Sequence, residues 1–512
     1  MSQNCGNNKC APRRTKLLPP QTLLNEDAMT TLTPPPHPIP PRTLKRPLAT
    51  VIVTLALLSA GATANAADQV QLELYVDRET KQVFTEPGPN RIKLGTFEPA
   101  SENNSSLNED KLKVSTAPKI GMEKKGLVVT SANNDFSMNI GGRIHADSST
   151  HLNDDLQKRS SGDPAEAVSG TELRRARLAL RGSFNRDFSY NIEADWGGNS
   201  VSLKDVLVTY QASPQLEITV GNQKHSVSME VEESSNDIMF NERSLLSALT
   251  LPHFDRAMGL NIKTMGDNWS LKGGIYGDAV SSSGDGADEG GGFGVRGSFA
   301  PINESGKLIH LGASYGLRKA NDNNSLSNGK TPRLRYETTN MSDLYLSDTG
   351  SIAGFEEIQL TGLEFAAMRG RFSAQAELGQ ASIKRDGGSD LSFNAHYLQL
   401  GWTLTGEARN YRGSDGEFKM LKPRNDFDLA QNHWGAWELA LRLDELDLHD
   451  GGIDGGSQQR FSLNLNWYLN ANLRILFGYS RAYDVESGPV IQQGGGEADN
   501  VDIFSLRTQL AL

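Results

Sequence analysis

The chain has 512 residues, with 51 Lys or Arg against 62 Asp or Glu, a formal net charge of −11, 37% hydrophobic residues and a mean hydropathy of −0.47. An acidic total of this size argues against a nucleic-acid-binding surface. The composition is that of a soluble protein, yet a membrane-spanning β-barrel has the same composition, because its water-facing residues and loops dilute its lipid-facing ones.

In chain order, the single long apolar run is Leu48 to Ala60; it follows Arg42, Lys45 and Arg46 and precedes Ala64-Asn65-Ala66. This is the pattern of a secretory signal peptide, residues 1–66, cleaved before Ala67. A transmembrane helix is the alternative, but the run is too short for a bilayer core and ends in small residues. Residues 1–47 are Pro-rich and long for a leader, which makes Met29 a candidate true start. Both cysteines, Cys5 and Cys10, fall in the removed part, so disulfide and thiolate-metal chemistry is not expected of the mature chain. The mature chain keeps 44 basic and 60 acidic residues, a formal charge of −16.

Residues 67–135 read as a small periplasmic extension. Val70 to Val76 alternates like a strand, Glu86-Pro87-Gly88-Pro89-Asn90 is a turn, and Ser101 to Asp110 is polar. No heptad run supports the alternative of a trimerising coiled coil. From Phe136 to Leu512, runs of roughly ten residues alternate apolar and polar, about sixteen times over, which predicts an all-β, sixteen-stranded antiparallel transmembrane barrel. In the first run, Phe136, Met138, Ile140 and Ile144 share one face, and Ser137, Asn139, Arg143 and Asp147 the other. One face suits lipid and the other water.

Short turns are expected at Asn185-Arg186-Asp187, Ala212-Ser213-Pro214, Gly266-Asp267-Asn268, Arg369-Gly370 and Asn470-Ala471-Asn472. Longer outward loops are expected at 148–170, 225–257, 279–291, 318–357, 449–459 and 483–501, rich in Gly, Asp, Asn and Ser. Residues 406–433 then form an exceptional long connection on the side of the short turns, either a plug-like segment or a miscount of strands.

Basic residues on the water-facing register are the candidate site. In Leu173 to Arg181, period two places Arg175, Arg177 and Arg181 opposite Ala176, Leu178 and Leu180, a row of guanidinium groups for an anion. Arg143, Lys272, Arg296 and Arg442 share that register on their own strands, and Arg243 lies in the long segment after the fifth strand. The planar fork of guanidinium suits phosphate or carboxylate. Structural pairing competes with this reading, because Glu193, Asp195, Glu377, Glu438 and Asp444 occupy the same register. Gly284-Asp285-Gly286-Ala287-Asp288 and Asp450 to Gly455 have the composition of calcium loops without an EF-hand or nonapeptide spacing. The nine histidines show no metal-ligand spacing and no serine sits in a nucleophile elbow, so no cofactor, metal or catalytic residue is expected.

Six blocks in the same order carry a family resemblance: Phe136 to Arg143, Leu173 to Leu178, Asn241-Glu242-Arg243-Ser244-Leu245, Leu398 to Glu407, Gly435 to Leu439 and Leu463 to Tyr468. The chain from about Val114 to its end resembles the phosphate-selective porins O and P. That resemblance implies a homotrimer of sixteen-stranded barrels in the lipid of the bacterial outer membrane, passing small anions such as phosphate or polyphosphate. It implies pore-facing roles for Arg143, the paired Arg174 and Arg175, and Arg243 on a constriction loop, for an arginine-rich loop segment at Arg333 and Arg335, and for Lys419 and Lys422 in a segment folded inward at 406–433. That loop segment here keeps only Arg333 and Arg335 and is followed by Glu337, Asp343 and Asp348, and the last residue is Leu512 rather than an aromatic. A porin of broad or other specificity, or a structural or adhesive barrel with a plugged lumen, is therefore the alternative.

Overall fold

The computed structural model describes residues 72–78, 83–97, 117–123, 126–152, 155–278, 280, 288–321 and 331–512. The leader at 1–66, the polar stretch 101–110 and most of the Gly284 to Asp288 motif lie outside the described residues. The chain divides into two compact units, Met1–Leu107 and Asn108–Leu512. In the first, strand Leu72–Asp77 pairs antiparallel with Val83–Phe84 on one side and Arg91–Phe97 on the other. Asn90 takes the positive φ of 65° that its turn requires, so these residues form a small sheet rather than a coiled coil.

In the second unit sixteen strands close into an antiparallel ring. They are β1 (Phe136–His151), β2 (Gly170–Phe184), β3 (Phe188–Asp195), β4 (Ser202–Ser213), β5 (Leu216–Lys224), β6 (Arg256–Met265), β7 (Trp269–Tyr276) and β8 (Gly292–Glu304). There follow β9 (Lys307–Lys319), β10 (Phe355–Arg369), β11 (Phe372–Arg385), β12 (Leu391–Thr403), β13 (Ala436–Asp450), β14 (Ile453–Tyr468), β15 (Leu473–Glu486) and β16 (Val501–Ala511). β16 closes on β1 from Ile503↔His151 to Ala511↔Arg143. Leu512 completes the seam, its amide and carbonyl bonding the carbonyl and amide of Gly142 at 2.8 and 2.9 Å. Beyond the end of β16, the free edge of β1 is taken by a hairpin, Lys119–Glu123 and Gly126–Thr130, whose second strand pairs Leu127 to Thr130 with Ile140 to Ser137. Part of the stretch expected as an extension thus lengthens the barrel wall and leaves less unpaired backbone there.

The alternation has the expected consequence on the outer surface. Ile144, Leu178, Ile192, Val220, Ile262, Leu363, Leu378 and Phe504 all face outward, and paired aromatics gather toward the two ends of the strands. Phe184 with Phe188 and Trp437 with Trp467 lie at the short-turn end, and Phe293 with Tyr315 and Tyr479 with Phe504 at the other. Such girdles mark the two membrane interfaces. The five short turns fall within two residues of where the sequence placed them, with Ser213 and Arg369 still in their strands, and one more lies at Ser305-Gly306.

Two loop expectations change. The stretch 449–459 is strand on both sides of a two-residue turn at Gly451-Gly452, with φ of 57° and 84°, the left-handed pair that a tight hairpin turn demands. The glycines and aspartates of Asp450 to Gly455 are therefore turn chemistry rather than a calcium loop. The stretch 225–257, read by its composition as an outward loop and by the family resemblance as a constriction loop, turns into the barrel. Its Val227, Leu245, Leu246, Leu249 and Phe254 are buried against inward side chains of β10 to β13, including Ile358, Leu360, Ile383, Phe393 and Leu446. From above, Leu334 and Tyr336 of a hairpin (Arg335–Glu337 with Tyr345–Asp348) close the same cluster. One half of the barrel is thus filled by a dry core, and open space remains along the other half, beside β1 to β8.

Candidate functional site

The segment after β5 would be costly inside a barrel unless its backbone groups were satisfied, and inward side chains satisfy them. It begins with a short helix, α1 (Met229–Glu232), capped by Ser228, whose hydroxyl accepts from the Val231 amide at 3.3 Å. The buried carboxylate of Glu377 on β11 accepts from the amides of Met229 and Glu230 at 2.9 and 2.7 Å. Glu230 accepts from the Ser244 amide at 2.8 Å, and Asp444 from the Leu245 amide at 3.2 Å. Cations take the carbonyls: Lys224 Nζ donates to Val231, Glu232 and Glu233 at 2.7, 2.9 and 3.1 Å. Arg442 donates to the carbonyls of Glu242 and Arg243 at 3.1 and 3.3 Å, Arg460 to that of Arg243 at 3.3 Å, and Arg507 to that of Asn241. A second helix, α2 (Ser247–Phe254), brings the chain back to β6.

From the short-turn end, residues 406–433 also enter the barrel, as a hairpin of Asn410–Arg412 and Glu417–Lys419. Arg296 donates to the carbonyls of Asp415 and Gly416 at 3.0 and 2.7 Å while gripping Glu364 in a two-pronged pair at 2.8 and 2.7 Å. His310 Nδ1 and Tyr411 Oη lie 2.6 Å apart, and Phe418 is buried against Met229, Leu308 and Met368. Gly416 has φ 66°, and a Cβ there would lie 2.2 Å from Ser298 Oγ, so only glycine seats the tip. The two inward segments meet where the Met420 amide and Arg409 donate to Asp237 Oδ1 and its carbonyl at 3.0 and 2.9 Å.

What remains open is a cavity of about 750 Å³ whose lining reaches from Arg335 and Asn340 of the outer hairpin to Asp415 and Glu417 of the inner one. Twelve Lys or Arg and ten Asp or Glu line it. Arg143 donates to Ser234 and Ser235 at 3.1 and 3.0 Å and to Glu193 at 3.3 Å. Arg177 is held by Asp195 at 2.7 Å and Glu193 at 2.8 Å, and Arg181 by Glu193 at 2.8 Å, outside the cavity lining. Among the described residues Arg175 makes one hydrogen-bond contact, with His145 at 3.4 Å, and its buried Nε has no partner. Arg243 donates to the Glu233 carbonyl at 2.7 Å, and Lys272 is paired with Glu232 at 2.9 Å. Arg335 lies 4.0 Å over the Tyr345 ring at the mouth, with no acid partner among the described residues.

Strict alternation puts Arg174 on the lipid face, and the structure corrects this. The pairing of β1 with β2 steps from His145↔Arg175 to Ala146↔Leu173, a β-bulge with Arg174 as its extra residue, and the bulge turns both arginines inward. Arg174 forms a two-pronged pair with Glu242 of the inward loop at 3.0 and 3.3 Å. Burial pushes the Glu242 carboxyl up, but Arg174, Arg507 and Arg175 outweigh it and hold the group well below the usual carboxylate range. A second shift of register, between Leu203 and Val206, accompanies Lys204 and Asp205 side by side in the cavity lining.

Several candidates are anchors more than solute contacts. Arg442 lies behind the inward loop and Arg296, only 4% exposed, is engaged at every arm, while Arg333 grips Asp348 on the outer hairpin, away from the cavity. Lys419 pairs with Glu417 and with Asp415 at 3.4 Å, and Lys422 is exposed outside the cavity lining. Lys204, Lys224, Arg256 and Lys263 line the cavity without having been singled out. Lys263 was legible in the alternation of Leu260-Asn261-Ile262-Lys263; Lys204 depended on its irregular register, and Lys224 and Arg256 sit at strand ends where parity lapses. Among the described residues no group of His, Cys, Asp and Glu could hold a metal ion.

A closed sixteen-stranded barrel with aromatic girdles, short turns at one end, and a lumen narrowed by segments from both ends defines a porin of the bacterial outer membrane. The model of the family "Phosphate-selective porin O and P" matches residues 138–512, and the chain belongs to that family. It is 29% identical over 393 residues to Porin O of Pseudomonas aeruginosa, covering 70% of this chain and 86% of that one. It is 31% identical over 319 residues to an uncharacterized protein of Caulobacter vibrioides, covering 60% and 62%. Among solved structures, an anion-selective porin from Comamonas acidovorans overlays 74% of this chain and all of its own at 15% identity, with a TM-score of 0.44.

Proposed function

We propose that the protein is a passive channel for small anions, with phosphate or polyphosphate the leading solutes, and that it works as a homotrimer in outer-membrane lipid. Membership of the phosphate-selective porin family supports the anionic solute, and the name of its Pseudomonas relative, Porin O, supports a channel. The observation that carries it is the cluster of Arg143, Arg174, Arg175 and Arg177 on one wall of the open half-lumen, facing Arg243 of the inward loop. In so confined a space fixed charges are weakly screened, and a guanidinium can replace water shed by an oxyanion. Arg175 and Arg335 offer the least encumbered guanidinium groups; Arg143, Arg177 and Lys272 supply field while their own acids hold them in place.

The ten carboxylates of the same cavity favour a second reading, a general porin with weak anion preference. The reversal potential of the reconstituted channel in a salt gradient, with and without phosphate, separates the two. Neutral residues at Arg143, Arg175 and Arg243 together should lower the anion preference and weaken the block of chloride current by added phosphate. A cation-selective channel indifferent to phosphate overturns the assigned solute, and a barrel that conducts nothing overturns the channel.

A further inference from the structure

On the outer wall, away from the lumen, the lipid face of β9 to β13 is hollowed. Cross-strand register places Ile309, Ala367, Ala374, Leu400 and Leu441 in one row around the barrel. The next row toward the short-turn end is Lys307, Arg369, Phe372, Trp402 and Leu439. Ala367 and Ala374 stand side by side in the first row, between Ile309 and Leu400 and beside Phe372 and Trp402 of the second. Small side chains flanked by large ones leave an apolar groove of about 710 Å³. It continues, through Arg369 and Phe372, into a second hollow of about 500 Å³ lined also by Gly370, Arg371 and Gly406.

We propose that this groove binds one anionic glycerophospholipid of the leaflet facing the periplasm, an acyl chain against Ala367 and Ala374 and the phosphodiester at Arg369 and Arg371. The position fits, because the arginines flank the Gly370 turn at the same end as the chain's last residue, where headgroups of that leaflet lie. The charge fits as well. Neither guanidinium has an acid partner among the described residues, whereas the neighbouring Lys307 is paired with Glu304 at 3.0 Å. An arginine that merely snorkels to the interface needs no groove beneath it; here the apolar slot and the cationic mouth share residues. Lipopolysaccharide belongs to the opposite girdle and does not reach this end.

The test uses the full mature porin reconstituted in vesicles of phosphatidylethanolamine and phosphatidylglycerol, re-extracted in mild detergent and weighed by native mass spectrometry. The expected result is one retained phosphatidylglycerol per barrel, above its share of the vesicle. Ala374→Leu fills the slot without touching charge and should lower retained lipid by about tenfold. Arg369→Gln with Arg371→Gln leaves the slot open and should return the retained lipid to the vesicle's own ratio, a loss of about tenfold in preference that matches one charge-assisted contact. The arginine pair sits at an exposed turn and reads the proposal independently should Ala374→Leu fail to fold, which heat-modifiable migration reports. Wild-type adducts in the vesicle's ratio, or adducts undiminished in both variants, overturn it. Dissociation of the oligomer by Ala374→Leu with lipid retention unchanged also overturns it and assigns the groove to a second copy of the chain.

Discussion

Glu242 offers a sharp probe of the charge balance in the lumen. Its carboxylate takes Arg174 at 3.0 and 3.3 Å and Arg507 at 2.8 Å, so the loop that narrows the channel cancels part of the positive charge on the barrel wall. Glu242→Gln keeps the shape and one of the two oxygens that Arg174 uses, while releasing one unit of positive charge. A unit charge acting on an ion at about 8 Å, close to a Debye length, in a water-like dielectric is worth about 0.5 kcal/mol. The sign is opposite for anion and cation, so the permeability ratio should rise about fivefold toward anions, and phosphate should block chloride current at lower concentration. Arg507 stays in place through Asp147 at 2.7 and 2.6 Å, which guards against collapse of the loop anchor. Zero-current potentials across a planar bilayer in a salt gradient measure the ratio. An unchanged or lower anion preference refutes the reasoning, and so does a larger conductance without added selectivity, since that means the loop has let go.

Four further outcomes follow from the same geometry. Arg174→Gln and Arg175→Gln should both reduce anion preference, because the bulge turns both inward; a silent Arg174 variant would mean that strict alternation holds there. Arg333→Gln should leave selectivity unchanged, its side chain being committed to Asp348 outside the cavity, and single-channel records check this. Arg296→Gln breaks a buried pair and strips two carbonyls of their donor, so a loss of about 3–5 kcal/mol should appear as a lower temperature of heat modification. Burial pushes the Glu233 carboxyl, in the inward loop, up to about 7. A raised acid binds more protons folded than unfolded, so its contribution to stability is lost as pH rises from the ordinary carboxylate range to about 7. Glu233→Gln should therefore match wild type at pH 5 and be the more heat-stable at pH 9, and parallel curves at both would count against the shift.

Much of this molecule is written locally. Alternation over 136–512, turn residues such as Asn185-Arg186-Asp187 and Gly370, and outward residues such as Ile144, Leu178 and Leu378 specify strands, their number and their lipid face, because period two and turn conformation depend only on neighbours in the chain. The inward face is another matter. Period two marks Ile358, Phe393 and Leu446 as apolar on the lumen side but not what covers them, and the cover is a loop more than a hundred residues away in sequence. A single extra residue at Arg174 shifts the phase of the alternation, so that Leu173 faces out while Arg174, Arg175 and Arg177 face in. Which arginines face solute and which hold a carbonyl or a carboxylate depends on what stands across the lumen. That is decided only when the ring closes and its loops fold inward.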